Sequence, residues 1–388
     1  MNSLIKVPTF SNSLSEDNKI IHGDNLLILD YLQKDYFEKI KLIYVDPPYN
    51  TGNFFKHYDD KLHRIEWLDF MEKRLNLLKN LMKNDGVIFV QINDNESAYL
   101  KILMDKIFGE ENYETTLYIQ VRYLNKTLTE DNSYHKVIEQ ILIYKKPAFK
   151  PNKKKIDYPL DKFCWEINEL TNGKVEMIDN KKVIIFKEGE YEINKVPASI
   201  NALKETWATG SLVRQGGSAA EFFDKYLSNR KEIDGLKTLY KVINMGTKGD
   251  GLGYRYITGP RKISASKGKF YYGIPLKKIN EIKSGNPQKE IPIPNFYDFS
   301  GSFGNCRLEG GLSFNGGKKP EALISMILEI GSNPEDLILD PFLGSGTTAA
   351  VAHKMNRKYI GIEKGNQIIT HCIPRLKNIS SNFNFYIL

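Results

Sequence analysis

Two hydrophobic rhythms alternate along the chain. Short apolar runs at 20–22 (Ile20-Ile21-His22), 41–45 (KLIYV) and 87–92 (VIFVQI) give way abruptly to polar or turn-forming residues, as strands buried on both faces of a parallel sheet do. Between them Trp67, Leu68, Met71, Leu75, Leu78 and Met82 recur at spacings of three and four. That spacing puts them on one face of a helix over 65–82, and the same pattern predicts a second helix over 98–108. Residues 137–144 (VIEQILIY) read as a further strand. From 145 to about 311 the texture changes to Lys, Asn, Gly and Pro with short, poorly periodic apolar stretches. The earlier rhythm then returns, predicting helices over 320–330, 347–355 and 367–377 and strands at 337–339 and 358–362. The expected fold class is α/β, a single Rossmann-like sheet split around an insertion. The expected domain limits are 1–145 and 312–388 for the two parts of the sheet and 146–311 for the insertion.

Composition narrows the class. A chain of 388 residues can bury a full core without staples, and Cys164, Cys306 and Cys372 are odd in number and far apart, so neither a disulfide framework nor a zinc site is expected. The opening MNSLIKVPTF has no apolar core of a signal peptide, and no run approaches the roughly 18 apolar residues of a membrane span. A cytoplasmic location with no membrane partner is expected. Charge is unevenly spread: residues 241–280 hold nine Lys or Arg against one acid, Asp250, an excess as large as the +8 of the whole chain. Tyr254, Tyr256, Phe270, Tyr271 and Tyr272 interleave with those cations. A surface that tracks phosphates and contacts bases needs this mixture, although a solvated lysine-rich face would read the same way.

Chemistry concentrates at two strand ends. Asp46-Pro47-Pro48-Tyr49-Asn50-Thr51-Gly52 follows the 41–45 run directly, where open parallel sheets gather ligands. Two prolines remove two backbone donors and hold the chain extended, which frees carbonyl oxygens to accept hydrogen bonds. The amino group of an aromatic base is a poor nucleophile because its lone pair is delocalised. Asp46 and the Pro47 carbonyl, accepting its two hydrogens, would localise that pair, and Tyr49 offers a ring for the base to stack on. Taken alone the four letters are also those of a rigid turn. The second constellation, Asp340-Pro341-Phe342-Leu343-Gly344-Ser345-Gly346-Thr347-Thr348, joins a strand to a helix, with glycines that let the backbone approach a ligand. It matches neither the Walker A nor the dinucleotide spacing. One strand later Glu363 closes Tyr359-Ile360-Gly361-Ile362-Glu363, a place where an acid can hold ribose hydroxyls. Lys318-Lys319 could meet phosphate or cofactor, or sit at a solvated helix start, and His135 and Trp67 read more simply as structural.

These blocks resemble the β-class amino methyltransferases of DNA, in which a DPPY motif precedes the cofactor loop. Within that class the chain is most similar to the modification subunits of type III restriction systems. The resemblance rests on Ile21-His22-Gly23-Asp24-Asn25-Leu26, Tyr44 to Gly52, Trp67-Leu68 with Arg74-Leu75, Gly86 to Val90, Phe108-Gly109, Phe314-Asn315-Gly316-Gly317-Lys318-Lys319-Pro320 and Asp340 to Thr348. It spans everything outside the insertion. It implies that S-adenosylmethionine is the cofactor, held by Phe342, Gly344, Ser345, Gly346, Thr347 and Glu363 with Asp24, Asn25, Asp46, Phe314 and Asp340. It implies that Asp46, Pro47, Pro48 and Tyr49 act on a flipped base, adenine rather than cytosine because an acid opens the motif. It further implies that the insertion recognises double-stranded DNA, for which the basic, aromatic stretch offers Tyr254, Arg255, Arg261, Lys262, Lys267, Lys269 and Tyr271 as contacts. A homodimer and a restriction subunit are the partners it suggests. A cytosine amino methyltransferase and a catalytically silent DNA-binding module are the alternative readings.

Overall fold

A computed structural model describes residues 4–11, 17–52, 62–126, 133–207, 217–314 and 316–388. Asn315, part of the motif read at 314–320, lies outside them. The chain divides into two compact units, Met1–Lys153 with Pro292–Leu388, and Lys154–Ile291.

The first unit is built on a ten-stranded sheet, in the order Ile5–Lys6, Asn384–Ile387, Lys19–His22, Lys358–Glu363, Leu337–Asp340, Ile40–Val45, Met82–Ile92, Ile138–Lys145, Tyr113–Gln120 and Phe296–Asp298. The six strands from Asn384–Ile387 to Met82–Ile92 are parallel. The two stretches that flank the insertion in sequence meet here: Ile338 pairs with Leu42 and Leu339 with Ile43. All six residues of Ile40–Val45 are buried because both faces of the sheet are covered. Leu42, Tyr44, Val87 and Phe89 face the helices Glu321–Gly331 and Thr347–Lys354. Ile43, Val45, Ile88 and Val90 face Asn25–Tyr36, Arg64–Leu81 and Ser97–Phe108. Strand periodicity of two thus supplies two hydrophobic layers from one apolar run.

Four strands of this sheet, the two-residue Ile5–Lys6 among them, go beyond the sequence reading. Tyr113–Gln120 pairs antiparallel with Ile138–Lys145, yet its buried residues mix the polar Thr116 and Gln120 with the apolar Leu117 and Ile119, so it shows no apolar run. Asn384–Ile387 and Phe296–Asp298 are short, the latter adding in parallel at the edge. The strand expected at 87–92 begins at Met82, its register with Ile40–Val45 broken between Ile40 and Leu42. The expected insertion, 146–311, is wider than the second unit. Phe149 joins the core of the large sheet, Asn152 N–H donates to the Ile330 carbonyl at 2.8 Å, and Phe296–Asp298 extends that sheet.

The second unit carries an eight-stranded antiparallel sheet, in the order Tyr191–Lys195, Phe163–Glu169, Leu203–Trp207, Lys269–Tyr272, Tyr254–Thr258, Leu239–Ile243, Lys181–Phe186 and Lys174–Ile178. One face buries Val183, Ile185, Val242, Ile257 and Phe270 against Phe222, Phe223 and Leu227. Among the described residues of the chain no helix is long and apolar enough to cross a membrane, and the three cysteines are free thiols.

Candidate active site

Parallel register sets the site. Asp46 follows the last residue of Ile40–Val45, Asp340 closes the neighbouring Leu337–Asp340, and Glu363 closes the next strand, where Asp340 pairs with Gly361. Three carboxyl groups thus stand at the carboxyl ends of three adjacent strands, where the following loops part and open a crevice. A cavity of about 700 Å³ occupies that crevice. Asp46, Pro47, Pro48, Tyr49, Phe314, Asp340, Phe342, Gly344, Ser345, Thr347 and Glu363, all picked out in the sequence, line it.

The acids differ by environment. Burial pushes the Asp340 carboxyl up to about 7, against the pull of the Thr348 hydroxyl and the Phe342 N–H, which donates to Oδ1 at 2.9 Å. A cation brought into the cavity would restore its charge. Burial also raises Glu363, opposed by backbone donors: Gly344 N–H gives to Oε2 at 2.8 Å and Gly365 N–H to Oε1 at 2.7 Å. Glu363 therefore fixes the shape of the glycine turn while each oxygen keeps a second lone pair for a hydroxyl. Asp46 is raised by burial and by Glu139, with Lys319 and the Tyr49 hydroxyl working the other way.

A polar network surrounds Asp46. The Tyr49 hydroxyl lies 3.0 Å from Asp46 Oδ1 and 2.8 Å from Glu139 Oε2. Lys319 Nζ lies 3.0 Å from Asp46 Oδ1, 3.7 Å from Glu139 Oε2 and 4.8 Å from the centre of the Tyr49 ring. Gln91 Nε2 donates to Glu139 Oε2 at 2.6 Å and is itself held by the Tyr44 hydroxyl, which donates to Gln91 Oε1 at 2.6 Å. Burial works against the Lys319 ammonium, but Asp46 and Glu139 outweigh it and hold its pKa above the ordinary value. Trp67, fully buried, donates its Nε1 hydrogen to the Pro48 carbonyl at 2.8 Å and so anchors the Pro-Pro segment.

Asp24, Asn25 and Gly346 are not among the lining residues. Asp24 caps the Asn25–Tyr36 helix, its Oδ1 accepting from Leu26 N–H at 2.9 Å. Asn25 donates to the Pro341 carbonyl at 2.8 Å and accepts from Arg74 Nε at 2.6 Å, tying the start of the glycine turn to the helix Arg64–Leu81. Gly346, left-handed at φ 82°, packs on Cys372. Behind the turn the buried Arg375 guanidinium donates to Thr347 Oγ1 at 2.7 Å and pairs with Glu321 at 2.8 Å.

The chemistry such a site supports is group transfer to a nucleophile held by acids and an aromatic ring, next to a glycine turn suited to a nucleoside. A family model described as DNA methylase matches residues 40–373. The chain belongs to the N6/N4 DNA methylase family. The chain is 31% identical over 406 residues to the probable type III restriction-modification enzyme HindVI Mod subunit of Haemophilus influenzae, an alignment covering 96% of this chain and 52% of that protein. It is 29% identical over 420 residues to the type II methyltransferase M.KpnI of Klebsiella pneumoniae, covering 95% of this chain and 89% of the relative. Among solved structures it is similar to the cytosine-N4-specific PvuII DNA methyltransferase, with a TM-score of 0.45, 13% identity, and coverage of 93% of this chain and 87% of that one. The chain spans between half and three fifths of the length of the type III relatives it matches. The family's cofactor is S-adenosylmethionine. The cavity suits that molecule: its cation can meet the buried Asp340 carboxyl, and its ribose can meet Glu363 at the glycine turn.

Sequence reasoning missed Glu139, Gln91 and Tyr44 as members of the site. Their signal was faint: a carboxylate inside the apolar run 137–144, and one Gln inside the run 87–92. Lys318 and Lys319, read as either site residues or a solvated helix start, are both buried. Lys319 joins the site, whereas Lys318 donates to the carbonyls of Arg307, Glu309 and Leu312 and pins that loop.

In the second unit the seven proposed DNA contacts separate into two groups. Arg255 pairs with Asp250 at 2.7 Å, Lys269 with Glu205 at 2.6 Å, and the buried Tyr271 hydroxyl donates to Glu205 at 2.6 Å. Tyr254 is half-buried under Lys241, which pairs with Glu169 at 2.7 Å. Arg261, Lys262 and Lys267 are exposed on the loop between Tyr254–Thr258 and Lys269–Tyr272, beside the exposed Trp207. The basic excess of 241–280 is therefore partly neutralised by acids from elsewhere in the sheet.

Proposed function

We propose that the chain is a DNA adenine methyltransferase that transfers a methyl group from S-adenosylmethionine to the exocyclic amino group of a flipped base. The observation that carries this reading is the meeting of Asp46 and the glycine turn in one cavity, across adjacent parallel strands. Glu363, Asp340, Phe342 and Phe314 would hold the cofactor. When bound, it supplies a methyl group already activated by a positive sulfur. Asp46 and the Pro47 carbonyl would accept the two hydrogens of the target amine, and Tyr49 would stack on the base. Holding donor and acceptor in line and excluding water accounts for the remaining catalysis. Adenine is favoured over cytosine because an acid, Asp46, opens the motif.

The test is direct. Purified protein is incubated with methyl-labelled S-adenosylmethionine and mixed genomic DNA, and the DNA is hydrolysed to nucleosides. Labelled N6-methyladenine is expected; labelled N4-methylcytosine would retain the chemistry and overturn the base, and no label would overturn the reading.

The second unit is proposed to recognise double-stranded DNA through the exposed cations of its 259–268 loop. Each phosphate contact contributes about 0.9 to the slope of log affinity against log salt. The triple substitution Arg261→Ala, Lys262→Ala, Lys267→Ala is expected to flatten that slope by about 2 to 3 and to weaken binding to all duplexes alike. Fluorescence anisotropy over a salt series measures both, and an unchanged slope would remove the loop from the interface. A second copy of the chain and a restriction subunit are the protein partners proposed, the latter because the type III relatives are Mod subunits.

A further inference from the structure

Resting on the methyltransferase reading, one feature of the network around Asp46 concerns the proton that the target amine must lose. A phenol carries a single hydrogen. The Tyr49 hydroxyl nevertheless lies within hydrogen-bond distance of two carboxylates, Asp46 Oδ1 at 3.0 Å and Glu139 Oε2 at 2.8 Å. Both contacts are satisfied together only when one acid carries a proton and donates it to the phenol oxygen. The arrangement thus has a place for one mobile proton. With both acids ionised the network is one proton short, and Lys319 Nζ, at 3.0 Å from Asp46 and 3.7 Å from Glu139, favours the anion on Asp46, so a proton entering the network comes to rest on Glu139.

We propose that Glu139 is the terminal acceptor of the target proton, reached from Asp46 through the Tyr49 hydroxyl. The balance closes on these residues. As the new bond from nitrogen to the methyl carbon forms, the bonding pair of the breaking carbon–sulfur bond stays on sulfur, and the nitrogen releases one proton to Asp46. Asp46 passes a proton to the Tyr49 oxygen, which gives its own hydrogen to Glu139 Oε2. Asp46 and Tyr49 end as they began, and Glu139 is protonated. Glu139 is suited to this end of the route because it lines the cavity, from which it can return the proton to solvent. Its position is imposed by Gln91, which Tyr44 orients. The charged and titratable groups facing the route are Tyr44, Lys319 and Asp340, with the Cys306 thiol close to Lys319. Burial keeps the Tyr44 and Tyr49 phenols far above their ordinary pKa, so Tyr49 relays a proton without persisting as a phenolate.

The experiment compares wild type with Glu139→Gln, Glu139→Asp, Tyr49→Phe and Glu139→Gln/Tyr49→Phe. Each is assayed for folding by thermal melt, for S-adenosylmethionine and duplex affinity, and for the single-turnover rate of methylated base. Glu139→Gln is expected to lower the single-turnover rate at least tenfold with both affinities within about twofold, and Glu139→Asp to recover part of the loss. The double variant is expected to be no slower than the slower single one, since both changes cut one route. Independently of turnover, the Asp46 carboxyl, followed by carbon NMR in the free enzyme, is expected to titrate at lower pH in Glu139→Gln, because a neighbouring negative charge is gone. A Glu139→Gln rate within twofold of wild type, or losses that multiply in the double variant, would overturn the proposal. A wild type that leaves DNA unlabelled would instead overturn the methyltransferase reading itself.

Discussion

Asp46→Asn is expected to lower kcat for DNA methylation about 10³-fold while leaving S-adenosylmethionine affinity within about threefold, the scale of loss when one preorganised polar partner of a transition state is removed. The substitution keeps the size and one oxygen of the side chain, so the fit of the Pro-Pro segment, anchored by Trp67 on the Pro48 carbonyl, is retained. What disappears is the charge. A carboxylate can only accept from the target amine, and can take up its proton; an amide does the second not at all and presents a donor half of the time. The amide would also leave the buried Lys319 with Glu139 as its sole acid of this network, at the longer distance of 3.7 Å. Titration calorimetry with the cofactor and single-turnover assays with duplex separate the two effects. Equal losses in cofactor binding and turnover would mean that Asp46 belongs to the donor side of the cavity.

The parts of the site that were legible in sequence are those fixed by local chain order. A strand running into Asp-Pro-Pro-Tyr, or into a glycine turn and then a helix, places reactive groups at a sheet's carboxyl edge whatever the rest of the chain does. Glu139, Gln91 and Tyr44 were illegible for the opposite reason. They meet Asp46 through register: Gln91 pairs with Ile141, so Glu139, two residues from Ile141, falls on the same face as Gln91 and one step further toward the site. No spacing along the chain encodes that neighbourhood. Charge in the second unit misled in a related way. Arg255, Lys241 and Lys269 read as a basic surface within 241–280, yet two of the acids that pair with them, Glu169 and Glu205, lie on strands outside that window. Exposure, which sequence does not give, singles out Arg261, Lys262 and Lys267.

Gly346→Ala carries the other large effect, and it acts behind the cavity wall. Gly346 sits at φ 82° as the N-cap of the helix Thr347–Lys354, its carbonyl accepting from Ala350 N–H at 3.0 Å. The left-handed conformation costs an alanine about 1 to 2 kcal/mol. A Cβ there would also lie 2.7 Å from Cys372 Sγ and 3.2 Å from Cys372 Cα, closer than carbon atoms pack. Cys372 is fully buried in the core of the large sheet and has no room to retreat, so overpacking adds about 1 to 3 kcal/mol. The expected loss in unfolding free energy is about 3 kcal/mol, read from denaturant midpoints. Because Gly344, Ser345 and Thr347 of the same turn line the cavity, a shift that relieves the contact moves them, and S-adenosylmethionine affinity is expected to fall at least tenfold. Gly346→Ala/Cys372→Ala separates the causes: removing the sulfur relieves the 2.7 Å contact, while the 3.2 Å contact with Cys372 Cα and the cost of the left-handed backbone stay. Recovery of about half the stability, with tighter cofactor binding than the single variant, is the expected result. A single variant as stable as wild type would show that the turn does not need the left-handed conformation at this position.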